Sequence, residues 1–292
     1  MKLKFIPKPP KSELPFAIGI PALVWQMLFF YVPLLLLLIS SFIKVSETET
    51  FQGFTFEHIG QFLTPTYLKV IASSLILAVT NVILCFLIAY PLAYFIAFRG
   101  KKYKNLLLFF LIVPFWTNFL LHVYAWFYVL EKQGFLNNFL ISSGLIQQPL
   151  HLLNTPFAIM VMMVYYYLPY MVLPIYASLE NFNYSLIEAS YDLGSNFFQT
   201  FRRIMLPLTR RGILAGFFLV YVPSFGEFAI PELMGGDKQM FVGNVVSEYI
   251  LGMGTGSLGS AFTMISAVFL LISIVFFFFL INSLLLPRKK HG

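Results

Sequence analysis

Glu227 and Glu232 sit in a long apolar run, Glu227 between Pro223 and Pro231 and Glu232 near the outer end of the run. Trp116, Tyr124, Tyr165, Tyr166 and Tyr167 occupy two other apolar runs. Where such runs cross a bilayer, a carboxylate costs about 2.5–3.5 kcal/mol on insertion scales and so faces a cavity or a partner. The prolines free backbone carbonyls nearby, which only a lined cavity or neighbouring protein tolerates. Carboxylates and aromatic faces both attract cations. Two plainer readings stay open: Glu227 pairs within a subunit interface, and the aromatics are interface anchors or core. Asn118 and His122, one turn apart, form a further polar stripe that reads as hydrogen bonding between helices, and one histidine makes no metal site.

A second group of charges stands in EASYDLGSNFFQTFRRIMLP, residues 188–207, the most polar stretch of the chain. Glu188 and Asp192 are four residues apart. On a helix, Asp192 near the end is disfavoured by both the dipole and the Glu188 charge, by a few tenths of a kcal/mol each. Such a charge needs a partner: Arg202 or Arg203 in cis, or another protein in trans.

The elements that position these groups follow from composition. Hydrophobic residues make up 59% of the 292 and charged residues 11%, and the mean hydropathy is +0.82. No soluble domain exposes such a surface, so this is an integral membrane protein. Six apolar runs are long enough for a hydrocarbon core that takes roughly 20 helical residues: Phe16–Phe42, Ile71–Phe98, Leu106–Leu130, Phe157–Leu179, Gly212–Met234 and Leu258–Leu286. Helices are required because lipid leaves backbone groups no other partner, and the alternation of barrel strands is missing. The first run is too long for a signal peptide and is read as a retained span. Fifteen of the nineteen lysines and arginines fall before the first run, between the second and third, between the fourth and fifth, or after the sixth. The positive-inside rule therefore puts both termini in the cytoplasm, and the net charge of +7 is a topology signal with no need of nucleic acid. The single cysteine, Cys85, lies in an apolar run and reads as a small buried hydrophobe.

The polar stretch is then a cytoplasmic loop, about 180–211. Ser185 and Glu188 fit a capping box opening a short helix. Leu186, Ala189, Ser190 and Leu193 share one face of it, apolar apart from Ser190. Gly194 suits a left-handed turn, and a second amphipathic helix follows with Phe197, Phe201, Ile204 and Met205 until Pro207 stops it.

Glu188-Ala189-Ser190, then Gly194, Ile204, Leu206 and Pro207, keep every spacing of a known signature loop, with Ser190 for its second alanine. The chain thereby resembles the membrane subunits of binding-protein-dependent ABC importers. The stretches LIVPFWTNFLLHVYAW (111–126), LGSNFFQTFRRIMLPLT (193–209) and FGEFAIPELMGG (225–236) are similar to the permeases of spermidine/putrescine importers. The resemblance implies an all-α fold of the type I ABC importer permease kind, in the bacterial inner membrane. It implies that the first loop helix, with Glu188, Asp192 and Gly194, docks in a groove of a separate ATPase. It further implies partners: an ATPase dimer carrying ATP and Mg, a second permease, an extracytoplasmic solute-binding protein and a polyamine substrate. No GxxxxGK[ST] loop is present, so ATP hydrolysis belongs to another chain, and this one is not expected to be an enzyme or to hold a cofactor of its own.

The expected organisation is a cytoplasmic segment at 1–15, a six-helix permease domain at 16–286 and a cytoplasmic tail at 287–292. Gly254, Gly256 and Gly259 satisfy GxGxxG, but they follow no strand and open an apolar run, so a dinucleotide site is set aside. The outer loop Gly235–Ser257, with Asp237 and Glu248, is a candidate docking surface for the binding protein. The alternatives are a permease for another small solute and an ion-coupled carrier acting alone; six spans without an obvious inverted repeat weigh against the latter.

Overall fold

Apolar sequence without water for its backbone has to hydrogen-bond to itself, and most of the described residues are helical. The structure, a computed structural model, describes residues 14–45, 51–236, 239–252 and 255–285. The N-terminal lysines, Asp237, Lys238, Gly254 and the tail from 286 lie outside the described residues.

Helix α1 (residues 14–40) comprises Leu14–Gln26, a π turn at Met27–Tyr31 and Val32–Ser40. Pro33 has no N–H to give, and just before it Val32 N donates to Met27 O, which widens the turn. A short antiparallel hairpin, β1 (Ile43–Val45) and β2 (Phe51–Phe54), sets Ile43 opposite Phe54; the expectation of helices alone missed it. Lys44 Nζ reaches Glu57 Oε2 at 2.9 Å, tying β1 to α2 (Glu57–Phe62) and holding that carboxyl below the usual carboxylate range. Then come α3 (Pro65–Arg99), α4 (Lys104–Trp116), α5 (Phe119–Leu130), α6 (Phe135–Ser142), α7 (Pro156–Glu180), α8 (Ser185–Asp192), α9 (Phe197–Leu208), α10 (Arg210–Phe225) and α11 (Ala229–Gly235). The last two are α12 (residues 242–252) and α13 (Gly256–Leu285).

Four helices are each long and apolar enough to cross a bilayer: Gly19–Ser40 within α1, α3, α7 and α13. Two further pairs of helices pass the same test together but are sharply bent, α4 with Phe119–Ser142 at 98° and α9 with α10 at 73°, so the crossings number four, or up to six where each bent pair is one span. Two of the expected spans are thus not single helices. The run 106–130 breaks where Thr117 turns extended and Asn118 caps α5, its Oδ1 accepting from Leu120 N at 2.8 Å. The run 212–234 breaks at 226–228, between α10 and α11.

The centre is a three-way packing of α3, α7 and α10. Gly212 and Gly216 of α10 make the approach to α7 possible. A Cβ on Gly212 would overlap Pro174 O and Ser178 Oγ, and one on Gly216 would stand 2.8 Å from Met171 Sδ. This is a small-xxx-small contact, and in lipid, where apolar burial drives little association, close backbone packing is what joins helices. Buried polar pairs stitch α3 to α10: Asn81 Nδ2 donates to Ser224 Oγ at 2.8 Å, and Tyr90 Oη meets Thr209 Oγ1 at 3.2 Å. Cys85 is buried beside them. Helix α13 covers α10 and α12, and α1 lies outside against α13, its described side chains facing outward almost throughout.

Candidate substrate path and coupling loop

The break at 226–228 places Glu227 where a backbone ladder stops. Pro231 is the third residue of α11, a position whose N–H would have no intrahelical partner, so the helix restarts there without loss. The freed donors at its start turn to Glu227. Its Oε1 accepts from Ala229 N at 3.1 Å and Ile230 N at 3.4 Å, and its Oε2 accepts from Tyr167 Oη at 2.6 Å. A carboxylate offers about four lone-pair sites, so three donors leave it acceptor capacity. Tyr167 is buried, whereas Glu227 keeps partial exposure.

The other break, at 114–118, meets the same stretch of α7. His122 Nε2 contacts Pro114 O at 2.9 Å, and its Nδ1 meets Tyr165 Oη at 2.8 Å. His122 thus bonds between helices, as its stripe suggested, whereas Asn118, the other member of that stripe, caps its own helix instead. Tyr166 packs its ring 5.8 Å from Phe115, 5.3 Å from Phe119 and 5.5 Å from Tyr167. Tyr165, Tyr166 and Tyr167 therefore bridge the two breaks.

Trp116 and Tyr124 do not join this group. They are 75% and 67% exposed, and the ring neighbour of Trp116 is Phe109. Trp126, which sequence reasoning passed over, packs 5.6 Å from Tyr165 instead. Glu232 is exposed on α11 and lines a cavity with Gln239, Asn244 and Glu248, apart from Glu227.

In the polar loop, α8 and α9 flank a turn in which Gly194 has φ +78°, the left-handed geometry its type suggested. Three details correct the sequence reading. Ser185 and Glu188 form no capping box: Asn183 Oδ1 takes the Ser185 N–H at 3.1 Å and its hydroxyl at 2.8 Å. The box lies instead at Asn196 and Gln199. The packed face of α8 is Ile187 and Ser190, while Leu186, Ala189 and Leu193 are exposed, Leu193 at 87%. Pro207 does not stop the second helix, which runs on to Leu208; Met205 is buried and Phe197 exposed. Among the described residues Asp192 forms no ion pair with Arg202 or Arg203, and Glu188 is exposed. Ile204 and Leu206 are partly buried on α9.

Ser190, the departure from the signature, has a structural role. Its hydroxyl donates to Ile187 O at 2.7 Å and pairs with the buried Thr200 Oγ1 at 2.8 Å, joining α8 to α9. Ser190→Ala leaves Thr200 Oγ1 without that partner and lowers the local stability of the loop by about 1 kcal/mol. Hydrogen exchange over residues 185–200 should speed up several-fold in S190A, and Thr200→Val in the same chain should restore most of the protection.

Broken crossings that converge on one span, with a helix–turn–helix loop before the penultimate crossing, define a multi-span membrane transport subunit. Residues 89–291 match the family described as the binding-protein-dependent transport system inner membrane component, and the chain belongs to that family. The spermidine/putrescine transport system permease protein PotB of Escherichia coli (strain K12) is 39% identical over 238 residues, 81% of this chain and 86% of that protein. PotB of Haemophilus influenzae is 38% identical over 263 residues, 89% of this chain and 91% of that protein. The crystal structure of a bacterial ABC transporter that imports alginate has the same fold, with a TM-score of 0.72, 17% identity and 96% of each chain covered. The chain is a multi-span permease subunit of a binding-protein-dependent transport system, which sets aside the ion-coupled carrier acting alone.

Proposed function

We propose that this chain forms one half of the membrane path of an ATP-driven importer of polyamines, with both termini in the cytoplasm. The observation that carries the substrate class is the 39% identity, over 81% of the chain, to a permease named for spermidine and putrescine transport. The chemistry of the helix break agrees with it. Glu227, held by Tyr167 and the start of α11, keeps acceptor capacity for an ammonium donor, and Tyr166 supplies an aromatic face nearby. Glu232 and Glu248 line a separate acidic cavity on the side this orientation makes the outer one.

Orientation rests on the distribution of lysines and arginines, which puts the 180–211 loop on the cytoplasmic side. There α8 serves as a coupling helix. Its exposed Leu186, Ala189 and Leu193 form an uncovered apolar face, with Glu188 and Asp192 as unpaired acids, and a groove of a separate ATPase receives them. Two ATPase subunits bind and hydrolyse ATP with Mg; this chain supplies the lever, a second permease the other half of the path, and an extracytoplasmic binding protein the solute. On the outer side the exposed surface of α12 around Glu248 is the one offered to that binding protein.

The test is uptake of labelled putrescine and spermidine in the native cell, with this chain deleted and then restored, before and after ATP depletion. ATP-dependent uptake should vanish on deletion and return on restoration. Unchanged uptake in cells stripped of other polyamine systems would overturn the substrate class and leave the family untouched.

A further inference from the structure

Helix α12 lies directly on the break that carries Glu227. Its second residue, Gly243, sits so close that a Cβ there would stand 2.5 Å from Gly226 O, 2.8 Å from Glu227 O and 2.8 Å from Phe228 Cβ. Two of these three atoms are backbone, which cannot swing aside as the end of a side chain can. Two bonds hold the start of α12 in this seat: Ser74 Oγ of α3 accepts from Val242 N at 2.8 Å, and Asn244 Nδ2 donates to Phe228 O at 3.4 Å. At the far end of α12, Tyr249 Oη meets Tyr67 Oη at 2.6 Å, at the start of α3. The opposite side of the break is held by the carboxylate itself, through Tyr167 Oη and the first N–H groups of α11.

The backbone of Glu227 is thus pressed by α12 on one side while its side chain is drawn to α7 on the other. From this clamp we infer that Gly243 is a positioning residue for Glu227: its missing side chain lets α12 set where the carboxylate stands in the path. The inference rests on reading Glu227 as a pathway residue. It has a mechanical consequence. Gln239 and Met240, just before α12, line the outer cavity with Glu232 and Glu248, so a displacement of that outer segment reaches Glu227 through Gly243. Close approach is a use to which glycine alone is suited, and any side chain here lifts α12 or bends the break.

The experiment is a double-mutant cycle in the assembled transporter, reading initial rates of labelled spermidine uptake and normalising to the amount of complex in the membrane. Gly243→Ala should lower the normalised rate at least tenfold. In an E227Q background the same change should lower it no more than twofold further, because the residue it positions is already disabled; a role in general folding would multiply with E227Q instead. Where E227Q retains no measurable uptake, E227D is the background. Where G243A does not assemble, Ser74→Ala, which removes the bond to Val242 N, displaces the same helix more mildly and enters the same cycle. Full multiplication of the two losses, or a G243A rate equal to wild type, overturns the positioning role while a loss in E227Q keeps the pathway reading. Wild-type uptake in both Glu227 variants removes that reading and this inference together.

Discussion

Gly212→Leu should yield almost no folded chain, measured as the monodisperse fraction after detergent extraction. In the interior of an ordinary helix, replacing glycine gains close to 1 kcal/mol from propensity. At Gly212 the sign reverses, because even a Cβ would overlap Pro174 O and Ser178 Oγ on α7. A carbonyl in a packed helix cannot move without its neighbours, so the loss exceeds the ordinary overpacking range of about 1–3 kcal/mol. Gly216 gives the internal comparison. The nearest atom to its added Cβ is Met171 Sδ, 2.8 Å away on a flexible side chain, and Gly216→Ala should cost only about 1 kcal/mol by the same scale. Thermal midpoints of the extracted protein should therefore fall in the order wild type, G216A, G212A, with G212L too scarce to measure. An abundant, stable G212L would mean that α7 and α10 do not approach as described.

The same contact marks what could have been read earlier. GILAG, residues 212–216, carries the small-xxx-small spacing in plain view, and hydropathy reading looked past it because it asks only how apolar a segment is. Hydropathy located four unbroken crossings and said nothing of the continuity of the rest. Prolines were the visible warnings, yet Pro91 lies inside α3, and Pro169 and Pro174 lie inside α7, without breaking either helix. The crossings at 114–118 and 226–228 break because Asn118 and Glu227 are there to accept from the restarted helices, a side-chain service that no hydropathy window registers. Likewise S-x-x-E at 185–188 and N-x-x-Q at 196–199 are equal as patterns. Asn183, two residues ahead of Ser185, takes its N–H and decides between them. The apolar face of α8 was legible and its direction was not, since among the described residues Leu186 and Leu193 stand exposed. Gly243 lay beyond reach for a plainer reason: its partners, Gly226 and Glu227, stand on the far side of α11 in the chain, and only folding brings them against it.

A loss of transport without loss of the complex is expected at Gly194. A side chain at φ +78° costs about 1–2 kcal/mol in the left-handed region. No atom lies within 4 Å of the Cβ it would add, so the penalty is backbone strain alone. The loop relieves it by rotating the turn, and the turn is what sets α8 against α9; the Ser190–Thr200 pair, at 2.8 Å, is the contact that rotation pulls apart. The spans themselves are untouched. On the proposed function, Gly194→Val should therefore assemble at wild-type levels and leave ATP hydrolysis by the partner ATPase in place, while ATP-driven uptake falls at least tenfold: hydrolysis without transport. Gly194→Asn separates geometry from chemistry, because asparagine visits the left-handed region readily, and it should keep at least a third of the wild-type rate. Uptake and hydrolysis falling together in G194V would place the defect in assembly. Wild-type uptake in G194V would mean that α8 need not be held at this angle, and the coupling role of the loop would fail with it.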